Sequence, residues 1–154
     1  MNMIQLKDRQ DIAADSKLSK LYTQFAALLK ELKTKQLTIS VIDAINKAVE
    51  EISTSALDGN ELKKLVKQKQ TAILKQLEKE LKIVPKKYYQ GLWMAFGMSS
   101  IGLPIGVAFG LSVGNIGLLG IGLPIGLGIG ALVGLRKDKK ALAEGRQLDV
   151  EIKY

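Results

Sequence analysis

Apolar residues recur three and four positions apart through the first half of the chain, the period of a helix with one buried face. Leu18, Leu21, Tyr22, Phe25, Leu28, Leu29 and Leu32 form a first stripe. Asp15 or Ser16 supplies an N-cap for it, and the helix is predicted to run to about Lys35. Val41, Ile42, Ile45, Ala48, Val49 and Ile52 form a second stripe, opened by Ser40 and Asp43 in a capping-box arrangement. Leu57-Asp58-Gly59-Asn60 is turn chemistry, because Gly and Asn tolerate positive φ. A third stripe, Leu62, Leu65, Val66, Ile73, Leu77, Leu81 and Val84, is expected to end at Pro85. Three helices with polar opposite faces must hide these stripes against one another or a partner.

The pattern changes at Tyr88. Residues 88–135 carry no Asp, Glu, Lys or Arg, and 13 of the 15 glycines lie among these 48 residues. Within the block, Gly102–Gly114 and Gly122–Gly134 are related by a shift of 20 residues and agree at eight of 13 positions. Each copy has glycine at every fourth position: Gly102, Gly106, Gly110 and Gly114, then Gly122, Gly126, Gly130 and Gly134. A bilayer core takes about 20 apolar residues per helix, so 48 fit two spans and a tight reversal. We place the spans at about residues 91–114 and 116–135, with the turn near Asn115 or, equally permissible, over Gly117–Gly120. A water-soluble core is disfavoured, since each interior glycine costs a helix about 1 kcal/mol relative to alanine. In hydrocarbon, unpaired backbone groups are dearer still, so the chain stays helical and glycine lets two backbones approach.

Composition sharpens this. The 154 residues carry 23 Lys/Arg and 15 Asp/Glu, a net charge of +8, and no Cys or His. That excludes disulfides, thiolate and imidazole metal sites, and histidine acid–base chemistry. Charge confined to the flanks sets a topology. Lys86 and Lys87 precede the block, Arg136, Lys137, Lys139 and Lys140 follow it, and the turn is neutral. Under the positive-inside rule both termini are cytoplasmic. Tyr88, Tyr89 and Trp93 occupy the level of an interfacial aromatic belt. Lysines also outnumber carboxylates on the third helix (Lys63, Lys64, Lys67, Lys69, Lys75, Lys79 and Lys82 against Glu61, Glu78 and Glu80), either an ordinary solvated face or a surface for anionic headgroups. No aromatic residue interleaves with them, so nucleic acid is not an expected partner. Met1–Leu6 is too short for the apolar core of a cleavable signal.

The two GxxxGxxxG runs resemble those of glycine-zipper membrane proteins, whose glycine ridges pack membrane helices. That resemblance implies a packing device rather than one activity. A neutral hairpin between lysines is also similar to the hydrophobic hairpin of pore-forming colicins, which implies membrane permeabilisation.

Inside the block the polar residues are Gln90, Ser99, Ser100, Ser112 and Asn115, which supply neither a proton relay nor an intramembrane ion pair. Carboxylates elsewhere lie beside lysines on polar helix faces. No catalytic, cofactor or metal residues are assigned. The tail Gln147–Tyr154 alternates apolar and polar, as a strand does, and Met3–Lys7 does so more weakly; a frayed terminus is the plainer alternative. The expected architecture is all-α: cytoplasmic amphipathic helices over 1–87, a transmembrane hairpin over 88–135, and a basic cytoplasmic tail over 136–154. The expected function is a non-enzymatic, homo-oligomeric membrane anchor or assembly subunit with a cytoplasmic protein partner. A small pore-forming, toxin-like protein is the alternative. Gly117 and Gly128 fall off the main glycine rows, so the second span offers two close-approach faces.

Overall fold

The computed structural model describes residues 3–7, 9, 12 and 17–153, which are mostly helical and fall into two compact units. The first unit comprises Met1–Pro85 with Leu148–Tyr154, and the second Lys86–Gln147.

The first unit is built on the three expected stripes. Helix α1 (Lys17–Leu32) buries all seven residues of the first stripe, with Phe25, Leu28 and Leu32 fully enclosed. Helix α2 (Ile39–Thr54) buries Val41, Ile45, Ala48, Val49 and Ile52. Helix α3 (Gly59–Leu81) packs against both, through Leu62, Val66, Ile73, Leu74 and Leu77. The N-cap residues expected for α1, Asp15 and Ser16, lie outside the described residues.

Three local expectations differ. Ser40 does not close a capping box. It sits inside α2, and its hydroxyl donates to the Glu80 carboxylate (2.6 Å), as does that of Thr38 (2.8 Å). A charged acceptor on the neighbouring helix outbids a local backbone amide. Helix α3 stops at Leu81, four residues before Pro85, because Lys82 turns left-handed (φ 56°). Pro85 instead favours extended backbone at Val84, and strand β1 (Val84–Lys86) follows. Met3–Lys7 forms no strand. The Ile4 amide donates to Asn46 Oδ1 (2.8 Å) and the Tyr22 hydroxyl to the Lys7 carbonyl (2.6 Å). The C-terminal segment is a strand, β2 (Gln147–Glu151), paired with β1. Leu148 is buried in the helical core, and the Lys153 amide donates to Gln24 Oε1 (2.9 Å).

Glu80 also accepts from Gln76 Nε2 (2.9 Å). Hydrogen bonds from Ser40, Gln76 and Thr38 hold its carboxyl below the ordinary glutamate value. The folded value is the depressed one, so this contribution is full above the ordinary value and fades as pH falls through the lower one. Thermal unfolding followed by circular dichroism between about pH 5 and about pH 3 should therefore steepen with acid in the native chain. Glu80→Gln should flatten that slope, leaving the part due to Glu51, whose carboxyl is lowered by its hydrogen bond to Lys69. An unchanged slope would refute the assignment.

Gln70 is fully buried on α3, and among the described residues neither its amide oxygen nor its nitrogen has a hydrogen-bond partner. A buried unmade hydrogen bond costs about 1–3 kcal/mol. Gln70→Met keeps the volume and removes the polar atoms, so we expect a higher melting temperature, by about 4–8 °C per kcal/mol in a unit of this size. A lower one would mean that Gln70 is satisfied.

The second unit is a helical hairpin. One arm runs through α4 (Tyr88–Gly97), a π-helical turn (Met98–Gly102) and α5 (Leu103–Val113). The other is a short 3₁₀ turn (Ile116–Leu118) and α6 (Leu119–Ala143). Between them Gly114 is left-handed (φ 69°). The Asn115 amide donates to the Gly110 carbonyl (2.9 Å) and the Gly114 amide to that of Leu111 (3.4 Å), a Schellman cap. The Gly117 amide donates to Asn115 Oδ1 (2.9 Å). The reversal thus falls at Asn115, not over Gly117–Gly120.

Two boundaries move. The first arm starts at Tyr88 rather than 91. The second continues through Arg136–Lys140 to Ala143, where Gly145 (φ 68°) ends it. Residues 136–154 are therefore no separate tail. Lys, Arg and Ala are good helix formers that extend α6, and Leu148 is drawn into the core of the first unit.

Candidate functional site

The contact between the hairpin's two arms is made of glycine backbone. A methyl placed on Gly102 would stand 2.8 Å from the Gly122 carbonyl oxygen, and one on Gly126 would stand 2.6 Å from the Gly102 nitrogen. On Gly122 it would meet Gly102 and Gly106; on Gly130, Trp93 and Met94; on Gly134, Tyr89 and Gln90. As α6 advances from Gly122 to Gly134, its partners retreat from Gly106 to Tyr89, so the arms are antiparallel. Six of the eight candidate glycines thus meet at this contact. Gly110 is buried beneath the turn, where an added methyl would stand 3.3 Å from the Asn115 carbonyl oxygen. Gly114 is the left-handed turn residue, and a methyl placed on it would meet nothing within 4 Å, so it is no packing residue.

Sequence reasoning missed Gly97. It belongs to the same row, facing Gly126 and Gly130. Five residues separate it from Gly102, a step of about 140° off one face of a regular helix. The π-helical turn takes up the extra residue, with the Leu103 amide reaching back five positions to the Met98 carbonyl. It also lets Pro104, in the first turn of α5, follow without needing an N–H. Pro124, its repeat counterpart, lies inside the α-helical stretch of α6.

Asp138 was missed as well. It is the one acidic residue of Arg136–Lys140, it is buried, and it points into the hairpin. Its Oδ1 accepts the Tyr89 amide (3.0 Å) and its Oδ2 the Gln90 amide (2.9 Å). These are first-turn N–H groups of α4, which have no partner within their own helix. A carboxylate there also suits the positive end of the helix dipole. The sequence signal was slight: an acid in a basic run, four residues after Gly134.

The interfacial candidates gather at that same end. Lys86, Lys87, Arg136, Lys137, Lys139 and Lys140 are all exposed. Tyr88 and Tyr89 meet edge to face (5.2 Å), as do Trp93 and Phe96 (5.6 Å). The Lys137 ammonium lies 5.0 Å from the Trp93 ring centre and 5.8 Å from that of Tyr89. Arg146, just beyond α6, pairs with Glu144 and bonds Tyr89, and those bonds raise its already high pKa. The turn at the opposite end carries no charge.

Outward, the hairpin is apolar. Leu92, Phe96, Leu103, Val107, Phe109, Leu111 and Val113 on one arm, and Ile121, Ile125, Ile129 and Leu132 on the other, are exposed. Both arms are long and apolar enough to cross a membrane, and in their most apolar stretches only 22% and 18% of residues are buried. The central helix of a water-soluble protein would be mostly buried. Among the described residues no three His, Cys, Asp or Glu side chains group as metal ligands. Comparison with protein-family models, with curated proteins and with solved structures gave no match.

Proposed function

We propose that the chain is an integral membrane protein whose second unit crosses the bilayer twice, held by a glycine zipper between its arms. In this reading it is a non-enzymatic, oligomeric anchor or assembly subunit. Its first unit and both termini stay in the cytoplasm, and its amphipathic helices offer polar faces to a protein partner. The outward exposure of the arms carries the proposal. Helices that turn Leu, Ile, Val and Phe outward along their length, with glycine between them, suit hydrocarbon rather than water. Length agrees: 26 residues span about 39 Å, against a bilayer core of ~30 Å. A charged, aromatic end opposite a neutral turn suits insertion turn first.

Gly126 and Gly130 are occupied within the hairpin, so copies would meet through the outer face of α6, where a methyl on Gly128 would meet nothing within 4 Å. Membranes from cells making the full chain should retain it through carbonate extraction, and protease added to the cytoplasmic side should remove both ends. Release into the carbonate supernatant would overturn the proposal. Dye-loaded liposomes should stay sealed around an anchor. Their emptying would favour the pore-forming alternative.

A further inference from the structure

We propose that the charged end of the hairpin binds anionic lipid headgroups through Arg136, Lys137 and Lys139, whose one intervening carboxylate, Asp138, is turned inward. This rests on the membrane reading above and names the lipid chemistry that its interfacial end would select.

Residues 86–147 contain seven cations and two carboxylates, all near this one end of the hairpin. At about 100° per residue, Arg136, Lys137 and Lys139 fan over roughly 160° of α6, a rim opposite Asp138 and Gly134. The carboxylate that would otherwise neutralise this fan is 7% exposed and engaged with two backbone amides. Glu144, the other, lies one turn beyond Lys140 and pairs with it (3.9 Å) and with Arg146, which takes Lys140 out of the rim. Folding thus turns the run Arg-Lys-Asp-Lys into an outward face of one sign.

The aromatic residues fix the depth of that face. Lys137 sits over Trp93 and Tyr89, side chains that favour the headgroup level. A cation held there meets lipid phosphates rather than bulk water, and charge complementarity selects headgroups with net negative charge.

Trp93 is the chain's single tryptophan and lies beside Lys137, so it reports on the lipids around the rim. The full chain would be reconstituted in zwitterionic vesicles containing an equal small share of brominated phosphatidylcholine or brominated phosphatidylglycerol. The anionic bromolipid should be enriched about fivefold in quenching Trp93, the factor expected from one basic contact at ~1 kcal/mol. That preference should vanish in concentrated salt and in the triple variant Arg136→Gln, Lys137→Gln, Lys139→Gln, with quenching by the zwitterionic bromolipid retained. Equal quenching by the two lipids in dilute salt would overturn the rim while leaving membrane insertion intact. A preference surviving both salt and the triple variant would assign selection to other groups and also overturn it. Quenching by neither lipid would overturn the membrane reading and the rim with it.

Discussion

Replacing Gly130 with alanine is expected to pull the hairpin apart, while the same change at Gly128 leaves it intact or firmer. Both glycines are interior to α6, so alanine raises helix propensity equally at each, by about 1 kcal/mol on the aqueous scale. Their surroundings decide the sign. At Gly130 the new methyl would run into the Trp93 carbonyl and stand 2.9 Å from the Met94 Cα, all backbone on the facing arm. At Gly128 nothing lies within 4 Å. Overpacking against movable side chains costs about 1–3 kcal/mol, and a backbone obstacle puts Gly130→Ala at ~3 kcal/mol or beyond. Titrating dodecyl sulfate into the full chain in mild detergent, followed by Trp93 fluorescence, should give a much lower midpoint for Gly130→Ala. The Gly128→Ala midpoint should equal or exceed that of the native chain. Matching midpoints for the two variants would mean that the arms do not meet at Gly130.

That contrast also marks what periodicity can convey. The stripes of α1 and α2 were legible because each position needed only its neighbours three and four away. The stripe of α3 was legible except at Leu74, which is buried beside Ile73, and at Gln70. The seven-residue gap between Val66 and Ile73 required an inward residue there, but its polarity concealed it. Glycine rows at a spacing of four were legible for the same reason as the stripes, and the spacing of five at Gly97 was not. Only the π-helical turn brings that residue back to the contact, and such a turn has no reliable local pattern. The end of α6 is obscured because a run of charge marks where a membrane span ends but not where its helix does, and Arg136–Lys140 are as helical as the residues before them. Ser40 and Asp138 failed differently. Each has a hydrogen-bonding partner on another helix, Glu80 and the start of α4, about 40 and 50 residues away along the chain.

Asp138→Ala is expected to be the most damaging polar substitution in the second unit. The carboxylate satisfies two donors at once, the Tyr89 and Gln90 amides at 3.0 and 2.9 Å, and both lie at the start of a helix that cannot satisfy them itself. Alanine leaves them facing a site that is 7% exposed, and each buried unpaired donor costs about 1–3 kcal/mol. Loss of the charge at the dipole's positive end adds about 0.3–1 kcal/mol. About 3 kcal/mol in all is the expected loss in the same dodecyl sulfate titration. Asp138→Asn divides that figure, because the amide keeps one acceptor oxygen and presents an NH₂ to the other donor. It should fall between the native chain and Asp138→Ala, and hydrogen exchange at the Tyr89 and Gln90 amides should quicken in the same order. Unchanged exchange in both variants would remove Asp138 from its place at the end of α4. The ranking separates this cap from the charge itself. Were Asp138 merely relieving repulsion among Arg136, Lys137 and Lys139, asparagine and alanine would be equally harmful and salt would rescue both.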